Sequence, residues 1–445
     1  MKNLLKYVIT FIIIIISFNV LLLISSLFPS SLIEKNVSES AKVLLKEGNQ
    51  PFIFKYSLTT NNNYTDAIMI NMCYSIDNSD PVFSYMSARK NYKKGLTTEE
   101  LLDTQGELIS YSSEKVDEIY DPVNELNQFL DSNVTTSIEY ARYWHGYFVF
   151  LRILLIFFQI TEIRYLLLSI FTILLIVFSI LAWKKIGKIN TIIFCFALMA
   201  YDYFFVPFSL EGAPIFILMM IACIIMLLKL DKIKNIYLYF FIIACISNFV
   251  DFLTVPLITL AMPLYIYVIY MQKNKKITLK QSIKTIGCAS MIWGLGYGLT
   301  WISKWVIYDV IYKKGILTSA ISQVLYRSST SNYLREQITI FDTLSYFFMN
   351  NGVYLLIFII LLSIFLMISM TIFTKKYKIK FKINKNYLKE ITPIIIISIL
   401  PIIWYITLSN HTILHTHFVY KHMLIVLIGE LICLKKTFSI KVEKT

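Results

Sequence analysis

Long apolar runs recur from one end of this 445-residue chain to the other. Most of them are about 17–25 residues long, which is the length an α-helix needs to cross the hydrocarbon core of a bilayer. Hydrophobic residues make up 57% of the chain, charged residues make up 16%, and the mean hydropathy is +0.63. A soluble globular core does not need so much apolar surface. The sequence therefore predicts an all-α fold, a polytopic bundle of transmembrane helices.

The first apolar run, residues 1–28, is predicted to be an uncleaved transmembrane helix. Lys2 and Lys6 precede an apolar stretch that continues to about Phe28. A signal peptide would have a shorter apolar core and a small-residue cleavage site, and this stretch has neither. The other predicted spans lie near residues 163–183, 191–210, 212–230, 236–250, 256–271, 284–303, 352–373, 391–408 and 418–434.

Lysines follow every even-numbered predicted span. The connections after the second, fourth, sixth, eighth and last spans begin near Lys184, Lys232, Lys273, Lys375 and Lys435. The connections after odd-numbered spans contain few lysines or are too long for charge to determine their side. The positive-inside rule then predicts about ten spans and both termini in the cytoplasm, in a multi-pass protein of the cell membrane.

A polar region interrupts the apolar pattern after the first span. Residues 29–162 are predicted to form a large extracytoplasmic loop that carries short interfacial helices, and residues 163–445 the remaining helical bundle. The loop is too long to lack structure of its own. Within it, residues 143–160 are too interrupted to cross the bilayer, and aromatic side chains such as Trp144 suit the headgroup level. An interfacial helix is expected there.

Charge and cysteine spacing exclude several functional classes. The net charge is +14, but the lysines lie in short connections between apolar runs, where they face anionic lipid, so the predicted partner is the membrane and not nucleic acid. The six cysteines show no paired spacing and predict neither a disulfide framework nor a zinc site. No nucleotide-binding or metalloprotease motif occurs, so ATP-driven transport has no support.

Unusual polar residues gather on the predicted outer side of the membrane. All five histidines fall there or just inside the following span, and three acids lie near outer span ends. An acid in that position is either functional or a helix cap, and Asp251 with Thr254 favours a cap. The histidines are His145, His411, His415, His417 and His422, and the acids are Asp202, Glu211 and Asp251.

The order of features in the first 190 or so residues resembles the GT-C superfamily of glycosyltransferases. In that family a first span leads to a long outer loop with an early acid, interfacial helices, a histidine segment and a helix that opens with arginine. The matching segments here are Phe28-Pro29, Tyr64-Thr65-Asp66-Ala67, Trp144-His145-Gly146-Tyr147 and Ile163-Arg164-Tyr165. The resemblance implies transfer of a sugar from a polyprenyl-phosphate-linked donor to a glycan or lipid acceptor at the outer membrane face.

Asp66 is the first candidate for the catalytic base. A sugar hydroxyl is a poor nucleophile, and a carboxylate must take its proton as the glycosidic bond forms. A long insert precedes Asp66, whereas the family places its acid close to the first helix. The alternative for Asp66 is a helix N-cap. Asp77 and Asp80 are rival bases, although their segment, Asp-Asn-Ser-Asp-Pro, is typical of a turn.

Arginines and histidines are the candidates for phosphate binding. Arg142, Arg152 and Arg164, together with His145, would meet the lipid phosphate at headgroup depth, because the planar guanidinium chelates phosphate oxygens. The alternative is that these arginines snorkel to the interface. If the first interpretation holds, we expect Asp66, His145 and Arg164 to converge with His411 on one outward cavity.

A second candidate group lies in the segment SNHTILHTHFVYK. His411 and His415 are four residues apart and would share a helix face, and Lys421 follows them. The group could contact phosphate or sugar, hold a divalent metal, or have no special role; no carboxylate lies close in sequence to complete a metal site. No metal ligand is assigned.

Other functions remain open on the sequence alone. A polysaccharide polymerase or ligase would also place arginines and histidines in outer loops, and residues 303–351 could form its major loop. A transporter of lipid-linked substrates would have internal repeats and broken helices, and no convincing repeat is present. A non-catalytic membrane scaffold is the fourth interpretation. The glycines of WGLGYGLTW predict close helix packing.

Overall fold

The structure is a computed structural model. It describes residues 2–52, 61–93, 121–131, 135–331, 337–347, 377–383 and 387–444. Helices dominate these residues, which confirms the predicted all-α class, and the described strands form two small antiparallel ribbons.

The described residues before the second long apolar helix form six helices and one 3-10 turn. The turn at Ser30–Leu32 redirects the chain after the first helix. The helices are α1 (Lys2–Leu27), α2 (Glu34–Glu47), α3 (Asn63–Tyr74), α4 (Pro81–Ser87), α5 (Pro122–Leu130) and α6 (Phe148–Phe157). At about 1.5 Å per residue, α6 is about 15 Å long and too short to cross a bilayer, as expected for residues 143–160.

The described residues from 160 onward form a bundle of helices that range from 4 to 34 residues in length. Two 3-10 turns, Val206–Phe208 and Tyr420–His422, interrupt it. The helices are α7 (Ile160–Lys185), α8 (Lys188–Ala200), α9 (Ala213–Lys229), α10 (Ile236–Val250), α11 (Ile258–Lys273), α12 (Leu279–Tyr312), α13 (Ile316–Arg327), α14 (Ile340–Phe347), α15 (Tyr387–Ser398), α16 (Leu400–Thr407), α17 (Ser409–Leu414), α18 (Thr416–Val419) and α19 (Met423–Thr437).

The two ribbons join distant parts of the chain. β1 (Lys90–Lys93) pairs with β2 (Thr135–Ile138), with Lys90 opposite Ile138. β3 (Tyr377–Ile383) pairs with β4 (Phe438–Lys444). The sequence of β3, YKIKFKI, alternates apolar and basic residues with the period of a strand.

Among the described residues, four helical segments are long and apolar enough to cross a membrane. They are Leu4–Leu27, Ile160–Lys185, Tyr387–Thr407 and Thr416–Thr437. Many of their apolar side chains face outward; Ile13 on α1 is 58% exposed, for example. Exposed apolar surface of this extent is typical of contact with lipid. The predicted ten spans stay a prediction, and the one at 352–373 lies outside the described residues.

The lysine-rich connections meet at one end of the bundle. Asp231, after α9, accepts hydrogen bonds from Lys185 at 3.3 Å and from Lys276 at 2.8 Å. Lys436, at the end of α19, pairs with Glu390 at 3.2 Å. The connections after the second, fourth and sixth predicted spans therefore lie together, while the number and orientation of the spans stay predictions.

Two glycines allow close backbone packing. One holds the segment of residues 144–147 against α10, and the other holds α12 against α10. A Cβ atom on Gly146 would lie 2.4 Å from the backbone oxygen of Phe249, to which the Gly146 amide donates at 2.9 Å. On α12, a Cβ atom on Gly296 would lie 2.9 Å from the oxygen of Phe241. Only glycine permits these two approaches, and the packing interpretation of WGLGYGLTW is confirmed at Gly296.

Candidate functional site

Helix α3 begins at an asparagine cap that determines where Asp66 lies. The Asn62 Oδ1 accepts a hydrogen bond from the Thr65 amide at 3.2 Å, which satisfies one of the free amides of the first turn. Asp66 therefore lies inside the helix, and the alternative that it is the N-cap is wrong. Its side chain is fully buried.

Arg164 joins Asp66 to two other elements. The guanidinium of Arg164, in the first turns of α7, lies 3.4 Å from Asp66 Oδ2 and 2.9 Å from Glu47 Oε2 at the end of α2. It also donates to Asn63 Oδ1 at 2.7 Å. Asp66 and Arg164 are thus brought together as the sequence predicted. Because Arg164 pairs with both Asp66 and Glu47, it stabilises the ionised form of Asp66 less than an arginine with a single partner would.

The loop between α8 and α9 lies on the opposite side of Asp66 from Arg164. Asp66 Oδ1 accepts from the Leu210 amide at 2.8 Å. In the same loop, Glu211 Oε1 accepts from Asn62 Nδ2 at 2.8 Å, so the cap of α3 also orients this second carboxylate. Asp66 and Glu211 are far apart in sequence, and their hydrogen bonds hold the loop between α8 and α9 against the start of α3.

A shallow cleft opens beside Asp66 and Glu211, and we call it the site cleft. Its titratable walls are Asp202, Glu211, His417 and Lys421. Its amide walls are Gln50, Asn61 and Asn62, and its aromatic walls are Phe205, Phe216 and Phe418. Asp66 and Arg164 lie behind Asn62 and Glu211 and are not among the lining residues. Asp202 and Glu211, which the sequence left between function and capping, are the carboxylates that face the cleft.

Burial changes the ionisation of both acids of the pair. The pKa of Asp66 rises to about 7, chiefly because burial penalises the carboxylate, while Arg164 and the Leu210 amide oppose the rise and nearby Glu211 adds to it. Burial also raises the pKa of Glu211, against the hydrogen bond from Asn62 and the charge of Lys421. Raised carboxyl pKa values are typical of acid–base sites, where a proton must be taken and returned near neutral pH.

Folding stability should fall as pH rises through the titration of Asp66. The pKa of Asp66 is about 7 in the folded chain and about 3.8 in the unfolded one, so the folded state binds the extra proton between these values. The contribution is complete below about pH 4 and is lost by about pH 7, up to about 4 kcal/mol. Thermal unfolding midpoints in a mild detergent from about pH 4.5 to pH 8 measure this slope.

Asp66→Asn should flatten that slope, because asparagine has no proton to lose. Asp77→Asn is the matched control: Asp77 is exposed, and its pKa is lowered by the Ser79 backbone and hydroxyl hydrogen bonds. The control should keep the wild-type slope. Equal slopes in wild type and Asp66→Asn would contradict an uncharged Asp66 in the folded chain. Asp251, whose pKa burial also raises to about 7, contributes equally to all three proteins.

The rival acids have turn and cap roles. Asp77 Oδ1 accepts from the Ser79 amide at 2.9 Å, and Asp80 Oδ1 caps α4 by accepting from the Phe83 amide at 3.0 Å. Asp251 accepts from the Thr254 amide at 3.1 Å with each oxygen. The interpretation of these three acids as turn or cap residues is confirmed.

His145 lies away from the site cleft. Its Nε2 is 2.7 Å from the Tyr140 oxygen, and its backbone has the left-handed φ of 51°. The ring is packed among aromatic rings, and burial lowers its pKa to about 3, so it is neutral. A neutral histidine in this position stabilises the turn before α6 and supplies no charge to a phosphate.

Arg152 is also away from the cleft, and backbone carbonyl groups occupy its guanidinium. The side chain is fully buried. Its nitrogens donate to the oxygens of Ser25 at 2.9 Å, Phe28 at 2.5 Å and Cys73. Ser25 and Cys73 lie in the last turns of α1 and α3, where carbonyls lack helical partners. Arg152 therefore caps two helix ends, and in this arrangement it cannot also chelate a phosphate.

Arg327, which the sequence did not single out, contacts His411 of α17 and His415, the residue that follows this helix. Its Nη1 lies 2.7 Å from His411 Nδ1 and 3.5 Å from His415 Nε2, and its Nη2 donates to the Tyr143 hydroxyl at 3.2 Å. His411 Nε2 lies 3.0 Å from the Leu253 oxygen, which can only accept, so Nδ1 is the acceptor from Arg327. Burial and Arg327 hold the His411 pKa well below its usual range.

The predicted site residues therefore occupy several places. Lys421 lines the site cleft, with Asp66 and Arg164 behind its wall. Arg142 lines a second, smaller pocket with Arg327. His411 and His415 lie between the two pockets, since the His415 ring stacks on Phe418 at 5.2 Å between centroids. The predicted convergence of Asp66, His145, Arg164 and His411 on one cavity is not observed, because separate loops hold them.

Metal binding has no support within the described ranges, where no group of three or more histidine, cysteine or acidic side chains is placed to hold an ion. Comparisons of the chain with protein-family models, curated proteins and solved structures gave no match. The chemistry of the cleft is therefore the basis for a functional proposal.

Proposed function

We propose that this chain is a membrane glycosyltransferase that transfers a sugar from a polyprenyl-phosphate-linked donor to a glycan or lipid acceptor. The site cleft supports the proposal, because its walls combine two carboxylates, Asp202 and Glu211, with Lys421. Transfer from a lipid phosphate needs a carboxylate to take the acceptor proton and a cation to stabilise the leaving phosphate.

The cleft walls suit a sugar. Amide and carboxylate side chains, here Asn61, Asn62 and Asp202, hydrogen-bond to sugar hydroxyls, and aromatic faces such as Phe216 and Phe418 pack against sugar rings.

The topology that goes with this proposal is the ten-span one. The lysine-rich end that contains Asp231 would face the cytoplasm, and the end that carries the site cleft would face outward. The region of residues 29–162 would then be extracytoplasmic. In this orientation the cleft lies where lipid-linked sugars present their phosphates on the outer leaflet.

Glu211 is the proposed base because it lines the cleft, whereas Asp66 does not. The acceptor hydroxyl gives its proton to a Glu211 oxygen while its own oxygen forms a bond to the anomeric carbon. The bond from that carbon to the donor phosphate breaks, and the phosphate leaves with the electron pair beside Lys421. Asp66 and Arg164 act as positioning residues, since they hold the loop that carries Glu211. No step in this scheme requires a metal ion.

The test is release of polyprenyl phosphate by the purified chain. The chain in detergent is given polyprenyl-phosphate-linked glucose, galactose and mannose, together with a glycolipid extract as acceptor. Mass spectrometry then measures the released polyprenyl phosphate and the mass gain of the acceptor. We expect both products with at least one donor and neither without the protein. Binding of intact donor with no release from any of the three would instead favour a transporter of lipid-linked substrates.

A further inference from the structure

The site cleft contains two carboxylates and one ammonium group, yet these groups do not pair with each other. Glu211 Oε1 accepts a hydrogen bond from Asn62 Nδ2 at 2.8 Å. Asp202 Oδ2 accepts a hydrogen bond from the Tyr420 hydroxyl. Within the described part of the chain the Lys421 ammonium has no hydrogen bond or ion pair, although the charges of Asp202 and Glu211 both act on it. Opposite charges in a partly buried space attract strongly, so the neutral partners of the two acids matter for the state of the lysine.

Tyr420 contacts both the acid and the lysine, with different parts of its side chain. Its hydroxyl donates to Asp202 Oδ2, and the Lys421 Nζ atom lies 4.5 Å from the centre of its ring. A cation over an aromatic face is attracted by the negative charge of that face. Tyr420 therefore engages the carboxylate of Asp202 and supports the ammonium of Lys421 at the same time.

Asp202 occupies a backbone position where glycine is the usual residue. It follows α8 with a left-handed φ of 63°, and the amide of the next residue, Tyr203, donates to the Leu198 oxygen at 3.1 Å. This is the Schellman end of a helix, where glycine is favoured because a Cβ atom is disfavoured at positive φ. An aspartate at this position indicates that its side chain has a role, and the hydrogen bond from Tyr420 is consistent with one.

We propose that Tyr420 is a positioning residue that keeps Lys421 available for a phosphate group, because its hydroxyl occupies Asp202. The inference rests on the proposed function, in which the phosphate belongs to the lipid-linked donor. Lys421 is partly exposed and lines the cleft, so a phosphate can approach its ammonium. An ammonium already paired with Asp202 would have to leave that carboxylate before it could bind phosphate, and its affinity for phosphate would be lower.

Tyr420→Phe tests this role, because it removes the hydroxyl and keeps the ring. Asp202 can then pair with Lys421, and the affinity for dodecyl phosphate should fall by about fivefold or more. The full chain in neutral detergent is titrated with dodecyl phosphate, and native mass spectrometry gives the bound fraction at each concentration. The binding that Lys421→Met removes is the component in the cleft. Tyr165→Phe is the matched control, since Tyr165 is 60% exposed on α7, and it should bind as wild type does.

The double variant of Tyr420→Phe with Asp202→Asn separates positioning from a structural role. Asparagine removes the competing charge, so the double variant should recover the wild-type affinity to within about twofold. Dodecyl phosphate carries no sugar, and contacts of Asp202 with a sugar therefore do not enter this measurement. If Tyr420 only supported the fold, the double variant would bind as weakly as Tyr420→Phe or more weakly, and that result would overturn the proposal.

Asp202→Asn alone keeps the test decisive if Tyr420→Phe does not fold. It should bind dodecyl phosphate at least as tightly as wild type, because it removes a negative charge near Lys421. A loss of about fivefold would overturn the proposal, since Asp202 would then be part of the phosphate site itself. Thermal midpoints confirm that each variant is folded.

The outcomes separate this inference from the proposed function. Recovery of binding in the double variant would support the role of Tyr420 even if sugar transfer is never observed. Sugar transfer by the wild type, with unchanged phosphate binding in Tyr420→Phe, would overturn the inference and leave the proposed function in place. The absence of any binding that depends on Lys421 would overturn the inference as well. Inorganic phosphate is the last arm: if it bound as tightly as dodecyl phosphate, the role of Tyr420 would stand and a lipid-linked donor would be contradicted.

Discussion

Glu211→Gln should lower the rate of sugar transfer by about 10²–10⁴-fold, which is the contribution that a general base makes. Glutamine has nearly the same shape, and its carbonyl oxygen can still accept the hydrogen bond that Asn62 Nδ2 gives to Glu211 at 2.8 Å. The loop should therefore stay in place, and the loss should fall on kcat and not on the KM of the donor. Steady-state release of polyprenyl phosphate over a donor concentration series measures both constants.

The control for this experiment is Glu39→Gln. Glu39 lies on α2 and is exposed, so its variant has the same change of charge without touching the cleft. Its kcat should stay within about twofold of wild type. Asp66→Asn tests the alternative hypothesis that Asp66 is the catalytic base. A Glu211→Gln protein with near wild-type kcat, beside an inactive Asp66→Asn protein, would return the role of base to Asp66.

Arg152→Met should destabilise the fold by about 3–5 kcal/mol, the largest structural effect that we expect from one substitution. Methionine fills much of the space but donates no hydrogen bond. The oxygens of Ser25, Phe28 and Cys73 would lose a charged donor inside the protein. Because two of them end helices, the favourable interaction of a cation with the negative helix end is lost as well. Thermal midpoint and yield of monodisperse protein in detergent measure the effect.

Two further variants, Arg89→Met and Arg152→Lys, are the controls for Arg152→Met. Arg89→Met removes a partly buried arginine whose guanidinium lies 4.9 Å from the centre of the Phe83 ring, and it should cost about 1 kcal/mol or less. Arg152→Lys keeps the charge but cannot reach three separate carbonyls, so its midpoint should lie between those of wild type and Arg152→Met. An Arg152→Met protein as stable as Arg89→Met would contradict the capping role and reopen a phosphate-binding role for Arg152.

Local sequence patterns predicted local structure well. Asp77 and Asp80 are turn and cap residues, because their hydrogen bonds reach amides only two or three residues away. The alternation in YKIKFKI is a local signal of the same kind, and it agrees with the strand β3. Arg327 carried no local signal at all, since its partners His411 and Tyr143 are more than eighty residues distant.

The sequence by itself determined the all-α class and the presence of membrane-length helices, because helix period and the thickness of a bilayer are read within one run of residues. It also predicted that Asp66 lies near Arg164, as it does in the structure. Only the tertiary structure decided that Glu211 faces the cleft while Asp66 lies behind it, that Arg152 caps helices, and that Arg142 joins Arg327. Each of these depends on which loops pack together. Such packing is determined by contacts between residues far apart in the chain, and no local pattern contains it.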